Sequence, residues 1–180
     1  MNQIVQLLLA WVHELRLRFT VDGQFPAQPR LNDELIHDDL ESTVDDFLYE
    51  HNRSAGAPRD KWLSKRSPEV VFTGESLSTT TYMDYNGIAC SATFGYHVEF
   101  DSTIVSIRAL EDAAATGTVT YEIHQNGSNV LQTTIVNPAS SSINDAADID
   151  VDAGDVLAGY FLSGTAGAKQ LLSIRLRRRE

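Results

Sequence analysis

Apolar residues change their spacing near Ser67-Pro68. Upstream they recur at helical intervals. Ile4, Leu8, Trp11 and Leu15 fall at i, i+4, i+7 and i+11, with Val5, Leu9, Val12 and Phe19 forming a second stripe beside them. That spacing predicts a helix over 4–19 with a wide apolar arc. Asp22-Gly23, Pro26 and Pro29 end it. Leu31, Leu35, Leu40, Val44, Phe47 and Leu48 predict further helix over 31–50. Asn32 can cap its start, with Asp33 and Glu34 in the first turn, where the helix dipole favours anions. Ser42 to Asp45 resembles a capping box, so this stretch can also be two short helices. His51 to Ser67 reads as a linker in which Trp62 lies among Arg59, Lys61, Lys65 and Arg66.

Downstream, the period drops to two. Strands are predicted over 69–73, 80–85, 94–100, 103–110, 117–125, 129–136, 147–151, 155–162 and 169–177. Val119, Tyr121 and Ile123 alternate with Thr118, Thr120 and Glu122; Val105, Ile107 and Ala109 alternate with Ser106 and Arg108; Leu172, Ile174 and Leu176 alternate with Ser173, Arg175 and Arg177. One apolar and one polar face per strand is the pattern of antiparallel sheets with a solvated outside. Asn126-Gly127 between two such runs is a strong hairpin signal. The expected fold is therefore mainly β: an antiparallel, jelly-roll-like β-sandwich at 67–180, preceded by an α-helical anchoring arm and linker at 1–66.

Charge narrows the partners. The 180 residues carry 25 acidic and 14 basic side chains, a formal net charge of −11. Such a chain repels phosphate backbones, which argues against nucleic acid. No apolar run reaches the roughly 18–20 residues of a membrane helix, so no membrane partner is expected. Met1-Asn2-Gln3 has no basic side chain and no cleavage pattern follows, so the first helix does not read as a signal peptide. Its broad apolar face packs either on its own domain or, as the width of the arc favours, against a partner chain through Ile4, Leu8, Trp11 and Leu15. Residues 31–50 hold eight acidic side chains and no Lys or Arg, including Asp38 and Asp45. They form either a solvated face or a dock for a basic partner. Arg175, Arg177, Arg178 and Arg179 cluster at the other end.

Catalytic and metal signals are weak. Asp148, Asp150, Asp152 and Asp155 are spaced like a calcium loop. Ala153 stands where an EF-hand needs glycine, however, and Gly159 stands where it needs glutamate. A strand with outward acids and a Gly154-Asp155 turn explains them. Asn126-Gly127-Ser128 matches a glycosylation sequon but reads as the hairpin turn. Gly164 to Lys169 is too short for a P-loop, and Gly74 to Ser78 lacks the last glycine of a nucleophile elbow. His13, His37, His51, His97 and His124 have no ligand spacing, and His97 and His124 read as sheet residues. The one cysteine, Cys90, excludes an internal disulfide and reads as a small buried residue. No catalytic residue, metal or cofactor is nominated.

Val119 to Leu131, Ile149 to Leu157, the small-residue loop Gly164 to Ala168 and the closing run Leu171 to Leu176 resemble the β-sandwich modules of bacteriophage virion proteins. These are of the tail-fibre, baseplate and capsid-decoration type, and the resemblance spans about 117–177. It implies a non-enzymatic, commonly trimeric virion component, anchored at one end, displaying its β-domain and docked on other virion structural proteins. Lack of disulfides suits assembly in a bacterial cytoplasm. Tail fibre or baseplate is the first placement, with capsid decoration (cement) or head fibre as the alternative. On this reading Ile4, Leu8, Trp11, Leu15, Asp38, Asp45, Arg175, Arg177 and Arg178 carry the partner contacts. A different class, a carbohydrate-binding module for a host-surface glycan, would place Tyr82, Tyr85 and Tyr96 along one exposed face.

Overall fold

The structure, a computed structural model, describes residues 17–19, 34–37, 47–52, 61–165 and 167–179. The chain divides into two compact units, 1–66 with 178–180, and 67–177. Each is considered by itself.

In the first unit, the described residues form a sheet where helix and linker were expected. Strands β1 (Leu17–Phe19), β2 (Glu34–His37), β3 (Phe47–Asn52) and β4 (Lys61–Ser64) lie side by side in that order. β1 runs parallel to β2, and the other neighbours are antiparallel. The helix over 31–50 is thus corrected at 34–37 and 47–50, the helix over 4–19 at 17–19, and the linker at 51–52 and 61–64. The rest of the helical arm lies outside the described residues. The physical reason is local. Leu35-Ile36 and Phe47-Leu48-Tyr49 are short contiguous apolar runs, which fit strand and helix templates alike. Ladder partners then decide: Leu35 pairs with Tyr49 and Ile36 with Leu48. Backbone pairing across strands overrides a weak i, i+4 pattern.

The second unit is a sandwich of two sheets. Its strands are β5 (Glu69–Glu75), β6 (Thr81–Tyr82), β7 (Asp84–Tyr85), β8 (Ile88–Ala89), β9 (Tyr96–His97), β10 (Ser102–Glu111), β11 (Thr118–Gln125), β12 (Ser128–Val136), β13 (Ser141–Asn144), β14 (Ile149–Val151), β15 (Val156–Ser163) and β16 (Lys169–Arg178). One sheet runs β13-β10-β16-β5-β7-β8, with β14 also on β10. The other runs β12-β11-β15-β6, with β9 also on β15. The long strands match the expected positions; β8, only two residues long, and β13, with Ile143 as its one apolar residue, were not foreseen.

The sheets meet through Phe72, Ile107, Leu172 and Ile174 on one side and Val119, Tyr121, Ile123 and Phe161 on the other, all 0–1% exposed. Burying each such side chain is worth about 1.5–3 kcal/mol. Gly159 lets the layers close: a Cβ there would lie 2.8 Å from Phe72 Cβ. Leu172, Ile174 and Leu176 face inward as the alternation requires, and so do Ile107 and Ala109. β10 changes phase between Ile104 and Ile107, both fully buried, which leaves Val105 only half-buried. The expected solvated face of β11 is also corrected. Thr120, Glu122 and His124 are buried, because Glu122 and His124 satisfy one another and Tyr82 and Tyr160 pack over them.

The Asn126-Gly127 hairpin forms as predicted. Both residues have positive φ, 51° and 85°, the geometry of a type I′ turn. Gly127 is needed for a second reason, since a Cβ there would lie 2.8 Å from that of Ala92.

Candidate functional site

Alternation in β5 turns Val70 and Phe72 inward and Glu69, Val71, Thr73 and Glu75 outward. In β16 it turns Leu171, Ser173, Arg175 and Arg177 the same outward way. Register extends this face: Thr73 pairs with Asp84 on β7, and Arg108 on β10 pairs with Ile143 on β13. Two depressions mark it. A cleft of about 560 Å³ at one end is lined by Thr73, Glu75, Asp84, Leu110, Asp112 and Lys169, among others. A smaller groove of about 280 Å³ at the other end is lined by Glu69, Ser106, Arg108, Ile143, Ser173 and Arg175. The face is acidic at the first end and arginine-bearing at the second.

The arginine end is organised by Asp145. Arg175 Nη2 donates to Asp145 Oδ1 at 2.6 Å, and Ser106 Oγ donates to the same oxygen at 2.8 Å. The Ser106 hydroxyl first, opposed by desolvation and then helped by Arg175 and Arg108, holds the Asp145 carboxyl below its ordinary value. Arg175 and Asp145 are about half exposed, 48% and 57%, so solvent and salt screen the pair.

Beneath the acidic end lies a buried couple. Tyr121 Oη donates to Glu111 Oε1 at 2.7 Å, and Gly167 N–H donates to Glu111 Oε2 at 3.2 Å. Burial, then the hydrogen bond to Glu111 and its charge, push the Tyr121 phenol well above its usual value. The couple bridges the sheets through a satisfied carboxylate and leaves no free base.

On the outer face of the second sheet, Glu122 accepts from Asn129 Nδ2 at 2.6 Å and contacts His124 Nε2 at 2.9 Å. His124 Nδ1 lies 3.3 Å from Tyr82 Oη. A carboxylate only accepts, so Nε2 carries a proton, and in the neutral imidazole Nδ1 then accepts from Tyr82 Oη. His124 stacks on Tyr160 with centroids 4.4 Å apart, and Tyr82 meets Tyr160 edge-on at 4.9 Å. Nothing in the spacing of His124 marked this network. The signal that could have found it is Glu122-x-His124 on one strand face. Among the described residues, no group of three or more His, Cys, Asp or Glu side chains is arranged to hold a metal ion.

The aspartate run is structural where it can be traced. Asp150 Oδ1 accepts from the Thr103 hydroxyl at 2.8 Å. Asp155 accepts from Gln125 Nε2 at 2.5 Å, Asn126 Nδ2 at 2.7 Å and Asp152 N–H at 2.8 Å. Asn126 Oδ1 in turn accepts from Val156 N–H at 2.9 Å. This clamp ties the β11–β12 hairpin to the turn between β14 and β15. Of the residues singled out for partner contacts, Arg175 and Arg177 share the outward face of β16. The Arg178 backbone N–H donates to Ser64 Oγ at 3.0 Å within the first unit. Ile4, Leu8, Trp11, Leu15, Asp38 and Asp45 lie outside the described residues. Tyr85 and Tyr96 pack on each other at 5.9 Å, apart from the Tyr82 cluster.

No protein-family model matches the chain, and no curated protein matches it by sequence. Among solved structures, a β-(1,4)-mannanase of Podospora anserina, carrying GH26 and CBM35 modules, aligns over 73% of this chain and 24% of its own. Identity is 14% and the TM-score 0.31.

Proposed function

We propose that the chain is a non-enzymatic structural component of a bacteriophage virion. On this reading it is a tail-fibre or baseplate-associated protein, anchored through its N-terminal arm and displaying its β-sandwich. The observation that carries the reading is strand order. β5-β16-β10-β13 faces β6-β15-β11-β12, so the chain winds repeatedly between sheets and its first long strand pairs with its last. That is the wrapped order of a jelly roll, an architecture of capsid and lectin domains. Folds host many functions; the resemblance of 117–177 to virion modules narrows the choice. The two stretches that carry it meet at the Asn126–Asp155 clamp. The partners are other virion structural proteins and further copies of this chain, with a trimer favoured, and capsid decoration or head fibre is the alternative placement. Glycan binding ranks behind, because Tyr82, Tyr85 and Tyr96 do not form one exposed row. Density-gradient purification of particles from cells carrying the gene, followed by mass spectrometry, tests the proposal. The chain is expected in the particle band at fixed stoichiometry. Recovery only from the soluble fraction would refute it.

A further inference from the structure

The larger cleft, about 560 Å³, falls in the size range of small-ligand sites. Its polar lining consists chiefly of acceptors. Glu75, Asp84 and Asp112 contribute carboxylates, and Lys169 is the cation beside them. Glu75, Asp112 and Lys169 are exposed and Asp84 is half-buried. Among the described residues, no ion pair joins Lys169 to any of the three. Glu111 also lines the cleft, but its carboxylate is taken up by Tyr121 and Gly167. A second observation is independent of this charge. Gln170, 3% exposed, lines the same cleft, and its Oε1 is buried with no hydrogen-bond partner. That oxygen lies beside Gly74 of the cleft wall, 3.1 Å from where a Cβ would stand. The amide Nε2 already donates to the Gly167 carbonyl. A buried acceptor left unmet costs about 1–3 kcal/mol, and a donor entering from the cleft would supply the missing bond.

We propose that this cleft binds the guanidinium group of an organic cation, carried on a short alkyl stem. A guanidinium offers donors only, in a planar fork that fits a carboxylate and can reach an amide oxygen beside it. It is more weakly hydrated than an ammonium, so entering a cleft partly walled by leucines costs it less. Leu110 and Leu171, both half-buried in that wall, give the alkyl stem its apolar contact. Three carboxylates oppose an anion, and no described lining residue is an aromatic ring on which a sugar could stack. Lys169 opposes the cation as well and so limits the affinity. The same group can arrive on a free alkylguanidine or on an arginine of another protein. The inference uses only the chemistry of this cleft and does not rest on the virion reading.

Titration of the full chain with n-butylguanidinium, followed by two-dimensional NMR at low salt, tests it. Saturable shifts are expected at Gln170 and Leu171, with a dissociation constant on the order of 1 mM, and n-butylammonium should bind more weakly. Glu75→Gln combined with Asp84→Asn should weaken binding about ten-fold, the scale of one charge-assisted hydrogen bond. Lys169→Gln should tighten it. Gln170→Met should weaken it with no change in charge, and circular dichroism checks that each variant folds. If Gln170→Met fails to fold, the carboxylate and Lys169 variants, all at partly or fully exposed positions, decide the matter. A capped Gly-Arg-Gly peptide separates the two sources: tighter binding than n-butylguanidinium assigns the cleft to a protein arginine, weaker binding to a free alkylguanidine. Absence of saturable shifts at about 20 mM ligand overturns the proposal. So does equal binding of n-butylammonium, preferential binding of butyrate, or an affinity indifferent to the carboxylate variants.

Discussion

Cys90 is 6% exposed beneath the second unit's surface. Burial, opposed by hydrogen bonds from the Gly159 and Tyr85 backbone and reinforced by the Asp84 charge, pushes its thiol up to about 11. The thiolate is the reactive species, so alkylation of the folded chain near pH 8 should run about 100-fold slower than in denaturant. Comparable rates would show that the thiol is not held this way. Tyr121 makes a second residue-level test. Tyr121→Phe strips Glu111 of its shortest hydrogen bond and should cost about 1.5–3 kcal/mol in urea unfolding, the range for bonds to charged groups. The pH dependence has a definite sign. The folded phenol stays neutral while the unfolded one ionises near 10, so the wild-type chain loses stability as pH rises above about 10. Tyr121→Phe should flatten that alkaline loss, and an unchanged slope would contradict the couple.

Asp155 belongs to the scale of elements, since its carboxylate joins two turns. Burial alone would raise its carboxyl; the Asp152 N–H, then the Asn126 and Gln125 amides, outweigh it and hold it below the ordinary value. A depressed carboxyl contributes stability that is present above its unfolded value, near 3.9, and disappears as pH falls through the folded one. Asp155→Ala should therefore destabilise by about 1 kcal/mol at pH 7, and the gap to wild type should close below about pH 4. A gap that persists in acid would place the effect in packing rather than in the carboxylate.

Legibility in the sequence followed how far each element depends on its own residues. β11 and β16 announce themselves by long alternation, and the Asn126-Gly127 turn by its positive φ requirement. β2 and β3 did not, because Leu35-Ile36 and Phe47-Leu48-Tyr49 satisfy a helical template equally well until a ladder partner arrives. The buried outer side of β11 was missed for a related reason. Glu122 and His124 look like solvent-facing polar residues until Asn129, Tyr82 and Tyr160 are brought onto them from three other strands. Arg175 and Arg177 were readable as sharing one face, but Asp145, distant in sequence, supplied the partner.

At the scale of the whole molecule, the chain carries a net charge of −11, and Arg108, Arg175 and Arg177 share one outer sheet face. The wrapped strand order gives the 67–177 unit a covered core between its two sheets. On the proposed function this unit is displayed on a larger assembly, and the segment that carries Trp11 is the anchor. Replacing Trp11 with Asp should abolish incorporation into particles while leaving the β signature of the purified chain unchanged in circular dichroism; normal incorporation would remove the arm from the anchor. The central claim is that this chain is a built-in part of a phage particle, and cryo-electron microscopy of particles from cells that encode it tests that most directly. The account predicts density at fixed positions on the tail, baseplate or capsid into which the two facing sheets, β5-β16-β10-β13 and β6-β15-β11-β12, fit strand for strand. Complete particles in which every density is accounted for by other chains would contradict it.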